Sequence, residues 1–128
     1  MRYQLYALKS IVINAQGKIL GRLASRIALL LQGKDKPTYR PERRDSDRIV
    51  VYNIDGVKLS GTKLISAYRM HHTGYPGGLK RIPLKHTHAR DPRILLKGAV
   101  LGMLAHNRLR SRLIKRLTLL RGASTHTN

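Results

Sequence analysis

Cysteine, tryptophan and phenylalanine are all missing from this chain, and acidic residues are down to six in 128. Without cysteine there is neither a disulfide nor a thiolate-based zinc site. Six tyrosines are the whole aromatic complement. The core must therefore be aliphatic, and a stacking platform for a run of single-stranded bases is thinly supplied. Apolar runs stay far short of the roughly 20 residues a spanning helix needs; the longest, Ile94 to Ala105, is interrupted by Lys97. No membrane span is expected. The first ten residues lack the apolar core of a secretion signal, so secretion is not expected either. The carboxylates, Asp35, Glu42, Asp45, Asp47, Asp55 and Asp91, fall mostly in loop-like stretches beside arginines, where they read as local charge partners rather than an acid–base pair. No serine sits in a Gly-x-Ser-x-Gly setting. No catalytic residue is assigned, and the chain is not expected to be an enzyme or to take a small-molecule substrate.

What remains is basic. Lys and Arg number 26, for a formal net charge of +20, spread from Arg2 to Arg121 with no acid after Asp91. Soluble domains usually keep a net charge of about 2 to 8, so this excess points to a polyanion, and with no membrane segment in view the polyanion is nucleic acid. The 41% hydrophobic content argues for one folded domain rather than a disordered basic tail.

Hydrophobic spacing sketches an α/β order. Ile11–Asn14 reads as a short buried strand, followed by a turn at 15–18. Leu20, Leu23, Ala24, Ile27, Ala28 and Leu31 recur at helical spacing, with Arg22 and Arg26 on the opposite side and Gly33 as the stop. A charged connection runs from Lys34 to Arg48. Ile49–Ile54 is a β-branched run suited to a strand covered on both faces, Asp55–Gly56 turns, and Val57–Ser60 alternates like a half-buried strand. Pro83 to Arg90 carries no clear pattern. Pro92 suits a helix start, Ile94 to Leu104 forms an apolar helix whose Gly98 and Gly102 are expected to admit another backbone, and Arg108 to Leu117 continues at helical spacing.

Three motifs bear on chemistry. Gly56 to Lys63 superficially matches a phosphate-binding loop, but Thr62 and Lys63 stand in the wrong order for one. His71-His72 and His86-Thr-His88 provide too few ligands for a metal without cysteine or nearby acids, so no metal and no cofactor are expected, and the histidines read as donors to phosphate or ribose. Met70 to Lys80 reads as a loop in which Gly74, Gly77 and Gly78 let backbone approach a partner closely. The start of the Leu20 helix follows a glycine turn, where free N–H groups suit a phosphate.

Gly17-Lys-Ile-Leu-Gly-Arg-Leu-Ala-Ser25, Gly33-Lys-Asp-Lys-Pro-Thr-Tyr39, the Asn53 to Lys63 region with its Ser-Gly-Thr-Lys, His71-His-Thr-Gly-Tyr-Pro-Gly-Gly-Leu-Lys80, and Val100-Leu-Gly-Met-Leu104 with Asn107-Arg-Leu109 occur in order along the chain. In this the sequence resembles the large-subunit ribosomal protein L13 family, in its bacterial and organellar branch. The resemblance implies a three-layer α/β/α fold with a central, mainly parallel sheet over residues 10–122, an N-terminal extension at 1–9 and a polar tail at 123–128. It also implies a structural role bound to large-subunit ribosomal RNA beside neighbouring ribosomal proteins. The alternative from charge alone is a free-standing architectural or regulatory nucleic-acid binder.

The residues expected to touch RNA are Lys18, Arg22 and Arg26 around the first helix; Lys34, Lys36, Tyr39, Arg40, Arg43 and Arg44 in the charged connection; Lys63, Arg69, His71, His72, Thr73, Gly74, Gly77, Gly78, Lys80 and Arg81 in and around the glycine-rich loop; and Asn107, Arg108, Arg110, Arg112, Lys115 and Arg116 near the end. The family usually has Lys-Gly-Met-Leu-Pro-Lys where this chain has Leu101-Gly-Met-Leu-Ala-His106, and aromatics where it has Leu117 and Leu119. Those departures, with the basicity, tilt the expected source toward a mitochondrial rather than a bacterial ribosome.

Overall fold

The computed structural model describes residues 9–42 and 46–123, so the expected N-terminal extension and polar tail lie almost wholly outside it. Its centre is a parallel sheet. β1 (Ser10–Asn14), α1 (Leu20–Gln32) and β2 (Arg48–Tyr52) form a strand–helix–strand unit, and β5 (Leu117–Leu119) returns to the free edge of β2, giving the order β1-β2-β5 with both pairings parallel. The long excursion between β2 and β5 holds α2 (Lys63–Ser66), an antiparallel pair β3 (Tyr68–His72) and β4 (Leu79–Pro83), then α3 (Leu84–Arg90), α4 (Pro92–Met103) and α5 (Leu109–Ile114).

β2 is central because its sequence suits burial. Ile49, Val50 and Val51 are all buried, and a β-branched run packs well where both edges are paired. Register puts Ile11, Ile49 and Leu117 abreast, and Ile13, Val51 and Leu119 two positions on; in a pleated sheet these share one face. That face meets Leu23, Ile27 and Leu31 of α1 and Leu96 and Val100 of α4 in a single core. Val12, Val50 and Thr118 line the other face, where Val12 is 50% exposed and none of the three joins that core. The fold is thus mixed α/β in a single domain, with a mainly parallel sheet and a small antiparallel pair.

α1 runs as its periodicity dictates, with Leu23, Ala24, Ile27, Ala28 and Leu31 buried and Gly33 (φ 75°) closing it in the left-handed conformation through N–H bonds to the Leu29 and Leu30 carbonyls. Its start has no side-chain cap; instead the Leu20 N–H donates to the Lys58 carbonyl at 2.9 Å. This is all that survives of the strand expected at Val57–Ser60: one bridge, Ile19 to Lys58. The same contact takes up a helix N–H that was expected to be open to phosphate. α4 begins as expected at Pro92, with the Asp91 carboxylate accepting from the Arg93 N–H at 3.1 Å.

Other expectations are corrected. Pro83 to Arg90 is strand end and helix α3, packed on α4 with Thr87 buried. The helix expected to reach Leu117 stops at Ile114, because Leu117 and Leu119 complete the sheet face. Gly98 and Gly102 are exposed, and a Cβ added to either meets nothing within 4 Å. They admit no neighbouring backbone within the fold, since α4 buries its Leu95, Leu96 and Val100 side instead.

Candidate nucleic-acid interface

The segment expected as a glycine-rich loop is a β-hairpin. Tyr68 pairs with Pro83, Arg69 with Ile82, Met70 with Arg81, His71 with Lys80 and His72 with Leu79. Directly opposed residues share a face, so Arg69, His71, Lys80 and Ile82 form one side, while Tyr68, Met70, His72, Leu79, Arg81 and Pro83 form the other. The first side is chiefly basic; the second carries the apolar surface. Every residue of both strands is exposed except Pro83.

The tip is built by local hydrogen bonds. Thr73 N–H donates to the Gly78 carbonyl at 3.0 Å, Gly78 N–H to the Tyr75 carbonyl at 2.9 Å, and Gly74 N–H to His72 Nδ1 at 2.9 Å. The His72 ring thus caps the turn, and its Nε2 edge is the one left to donate outward. The glycines divide in role. Gly74 (φ 87°) and Gly77 (φ 70°) adopt left-handed backbone that side chains disfavour. A Cβ on Gly78 would run into Thr73 Oγ1 and stand 2.9 Å from the Tyr75 oxygen. Gly78 therefore serves closure of the hairpin itself. Tyr75, at the tip, is 76% exposed.

A second basic surface lies on α1, where Arg22 and Arg26 are exposed one turn apart with Gly21 and Ser25 beside them; the Ser25 hydroxyl lies 3.5 Å from Met103 Sδ of α4. Lys18 is exposed in the preceding turn, and Lys63 lies exposed in α2. Past α1, Lys34, Tyr39 and Arg40 are exposed. The structure brings Lys34 and Tyr39 together with Asn107, some 70 residues later in sequence, around one surface crevice. Arg108, Arg112 and Lys115 are exposed near α5; Arg110 sits with its guanidinium 2.6 Å from His106 Nδ1.

Not every expected cation is open. Lys36 Nζ is 2.9 Å from the buried Asp47 carboxylate, which also accepts from the Lys9 N–H at 3.3 Å. The Arg116 guanidinium bonds to the Ser46 carbonyl and its hydroxyl, tying the start of β5 to the segment before β2. Both have partners within the chain, which their charge alone did not reveal. Arg43 and Arg44 lie outside the described residues. Three acids behave as local partners: Asp47 with Lys36, Asp55 with Arg121 and Asp91 with Arg93. The Arg93 side chain hydrogen-bonded to Asp91 holds its carboxyl below the usual carboxylate range. Gly56, which suggested a phosphate loop, is a close contact instead: a Cβ there would lie 2.9 Å from Gln16 Cγ.

Sequence reasoning missed Gln32, which shares the crevice with Tyr39, and the exposed apolar side of the hairpin. The alternation of Tyr68, Met70 and His72 was a signal for the latter, outweighed by the density of glycines that followed. No helix among the described residues is long and apolar enough to cross a membrane.

Comparison with known proteins places these surfaces in a family. A family model described as ribosomal protein L13 matches residues 8–126. The chain is 52% identical over 115 residues to the large ribosomal subunit protein uL13 of Caldanaerobacter subterraneus subsp. tengcongensis, across 90% of this chain and 80% of that one. With its Thermus thermophilus counterpart it shares 45% identity over 112 residues, 88% of this chain and 80% of the other. With that of Spiroplasma citri it shares 43% over 106 residues, 83% and 73% of the two chains.

Proposed function

Because this chain belongs to the ribosomal protein L13 family, we infer that it is a structural, non-enzymatic constituent of the large ribosomal subunit that binds large-subunit ribosomal RNA. The observation that carries the RNA-binding part is the distribution of charge. Exposed cations on the hairpin, on α1, past α1 and around α5 face outward from one small core, which suits a protein set among several RNA segments better than one gripping a single groove. Backbone phosphate and ribose contacts of this kind position a protein on folded RNA with little base reading. Residues 10–122 are the folding unit, with 1–9 and 123–128 as extensions, and neighbouring large-subunit proteins are the remaining partners. The bacterial sources of the relatives leave the expected tilt toward a mitochondrial ribosome without support.

Sedimentation tests the reading. Native chain should travel with the large subunit through a high-salt gradient, whereas recovery in the top fractions would mean a free-standing nucleic-acid binder. Affinity for ribosomal RNA should also fall steeply with salt, by roughly 0.7 to 0.9 in log affinity per log unit of salt for each phosphate neutralised.

A further inference from the structure

The crevice around Tyr39 joins two basic segments that sequence keeps far apart. Gln32 ends α1, Lys34 and Tyr39 follow it, and Asn107, Leu109 and Leu113 come from the approach to α5 and from α5 itself. The space, which opens to the surface, is about 130 Å³. That is well under the roughly 300 to 1,000 Å³ of sites for drug-sized ligands and cofactors, and suits one planar heterocycle. Its walls fit the same object. Tyr39, 39% exposed, brings an aromatic ring to the lining, and Leu109 and Leu113 supply apolar surface. The Asn107 Oδ1 accepts from the Leu109 N–H at 3.0 Å, leaving its amide N–H groups to donate. Gln32 carries both a donor and an acceptor, and no described hydrogen bond or ion pair engages the side chains of Gln32, Lys34 or Tyr39. Among the described residues no carboxylate lines the space, and Lys34 brings a cation to it. An aromatic face, amide groups and a nearby ammonium are what an unstacked base and its phosphate require.

We propose that this crevice takes a single unstacked base of the ribosomal RNA. The proposal rests on the RNA-binding reading above and adds to it one point of base contact. In it, Tyr39 stacks on the base, Gln32 and Asn107 meet its edge, and Lys34 meets the adjoining phosphate.

The test uses the full chain and transcribed large-subunit ribosomal RNA, with affinity measured across a salt series. Tyr39→Leu should weaken binding by roughly 5- to 150-fold, the equivalent of one lost base stack, without changing the salt slope. Tyr39→Phe should remain near wild type. Lys34→Gln should instead lower the slope by roughly 0.7 to 0.9. Ultraviolet cross-linking of the unaltered chain should place a single-nucleotide adduct on Tyr39, a readout that does not depend on any variant folding. Wild-type affinity for Tyr39→Leu, equal loss in Tyr39→Phe, or no adduct at Tyr39 would overturn the base site while leaving RNA binding intact. Failure of the unaltered chain to bind the RNA would instead overturn the reading beneath it.

Discussion

The sheet core and the β3–β4 hairpin both carry large apolar side chains, which end up in opposite conditions. In the core, Ile27, Leu31, Ile49, Val51, Leu96 and Val100 have no exposed surface. In the hairpin, Tyr68, Met70, Leu79 and Ile82 are all exposed, Met70 by 61%. The core strands are covered on one face by α1 and α4, whereas the hairpin touches the rest of the chain mainly near its base, through α2 and α3. A two-stranded ribbon is marginal in water by itself. The core therefore stores the stability of this domain, and the hairpin is a limb whose surface the described chain leaves uncovered.

The largest expected effect lies on the core side of that comparison. Leu96→Ala should cost about 2 to 5 kcal/mol, as for a fully buried leucine, while Met70→Ala, exposed on the hairpin, should stay within about 0.5 kcal/mol. Chemical denaturation of the two variants measures the gap, and comparable losses would erase the distinction. Next is Gly78→Val, which should disrupt the hairpin tip through the clash with Thr73 and Tyr75 yet leave the core transition in place, while recovery in reconstituted large subunits falls. Global unfolding would show that the limb supports the core after all.

Smaller effects sharpen the boundary. Gly102→Ala should stabilise the free domain by about 0.5 to 1 kcal/mol, since α4 gains helix propensity where nothing stands within 4 Å; a lower melting temperature would restore the close-packing role. Smallest is the Asp91–Arg93 pair. The folded-state pKa of Asp91 is depressed, so its contribution is present above the ordinary carboxylate pKa and is lost as pH falls through the folded value. Asp91→Asn keeps a capping oxygen while removing the charge, so its small deficit in melting temperature at neutral pH should close on acidification. A deficit that persists at low pH would mean the ion pair is not its source.

Much of this was legible along the chain. The period of Leu23, Ile27 and Leu31 marked α1, Gly33 its end, and the β-branched run at Ile49–Val51 the central strand. Local chemistry also read Pro92 as the start of α4. The misreadings occur where a distant partner decided the outcome. Leu117 and Leu119 continue a helical spacing and were drawn into a strand by β2; Val57–Ser60 alternates like a strand and found only Ile19. Likewise, nothing in composition separates Lys36 and Arg116, held by Asp47 and Ser46, from exposed cations such as Arg22.

Sequence by itself determined the class of partner and the local elements, because net charge is a sum over residues and helix periodicity is a short-range property. Only the tertiary structure decided which cations stay open, which glycines serve closure of a turn, and that Gln32, Tyr39 and Asn107 surround one space. Those outcomes depend on which segments meet across the core, and side-chain contacts between residues 70 apart leave no periodic trace in the chain that makes them.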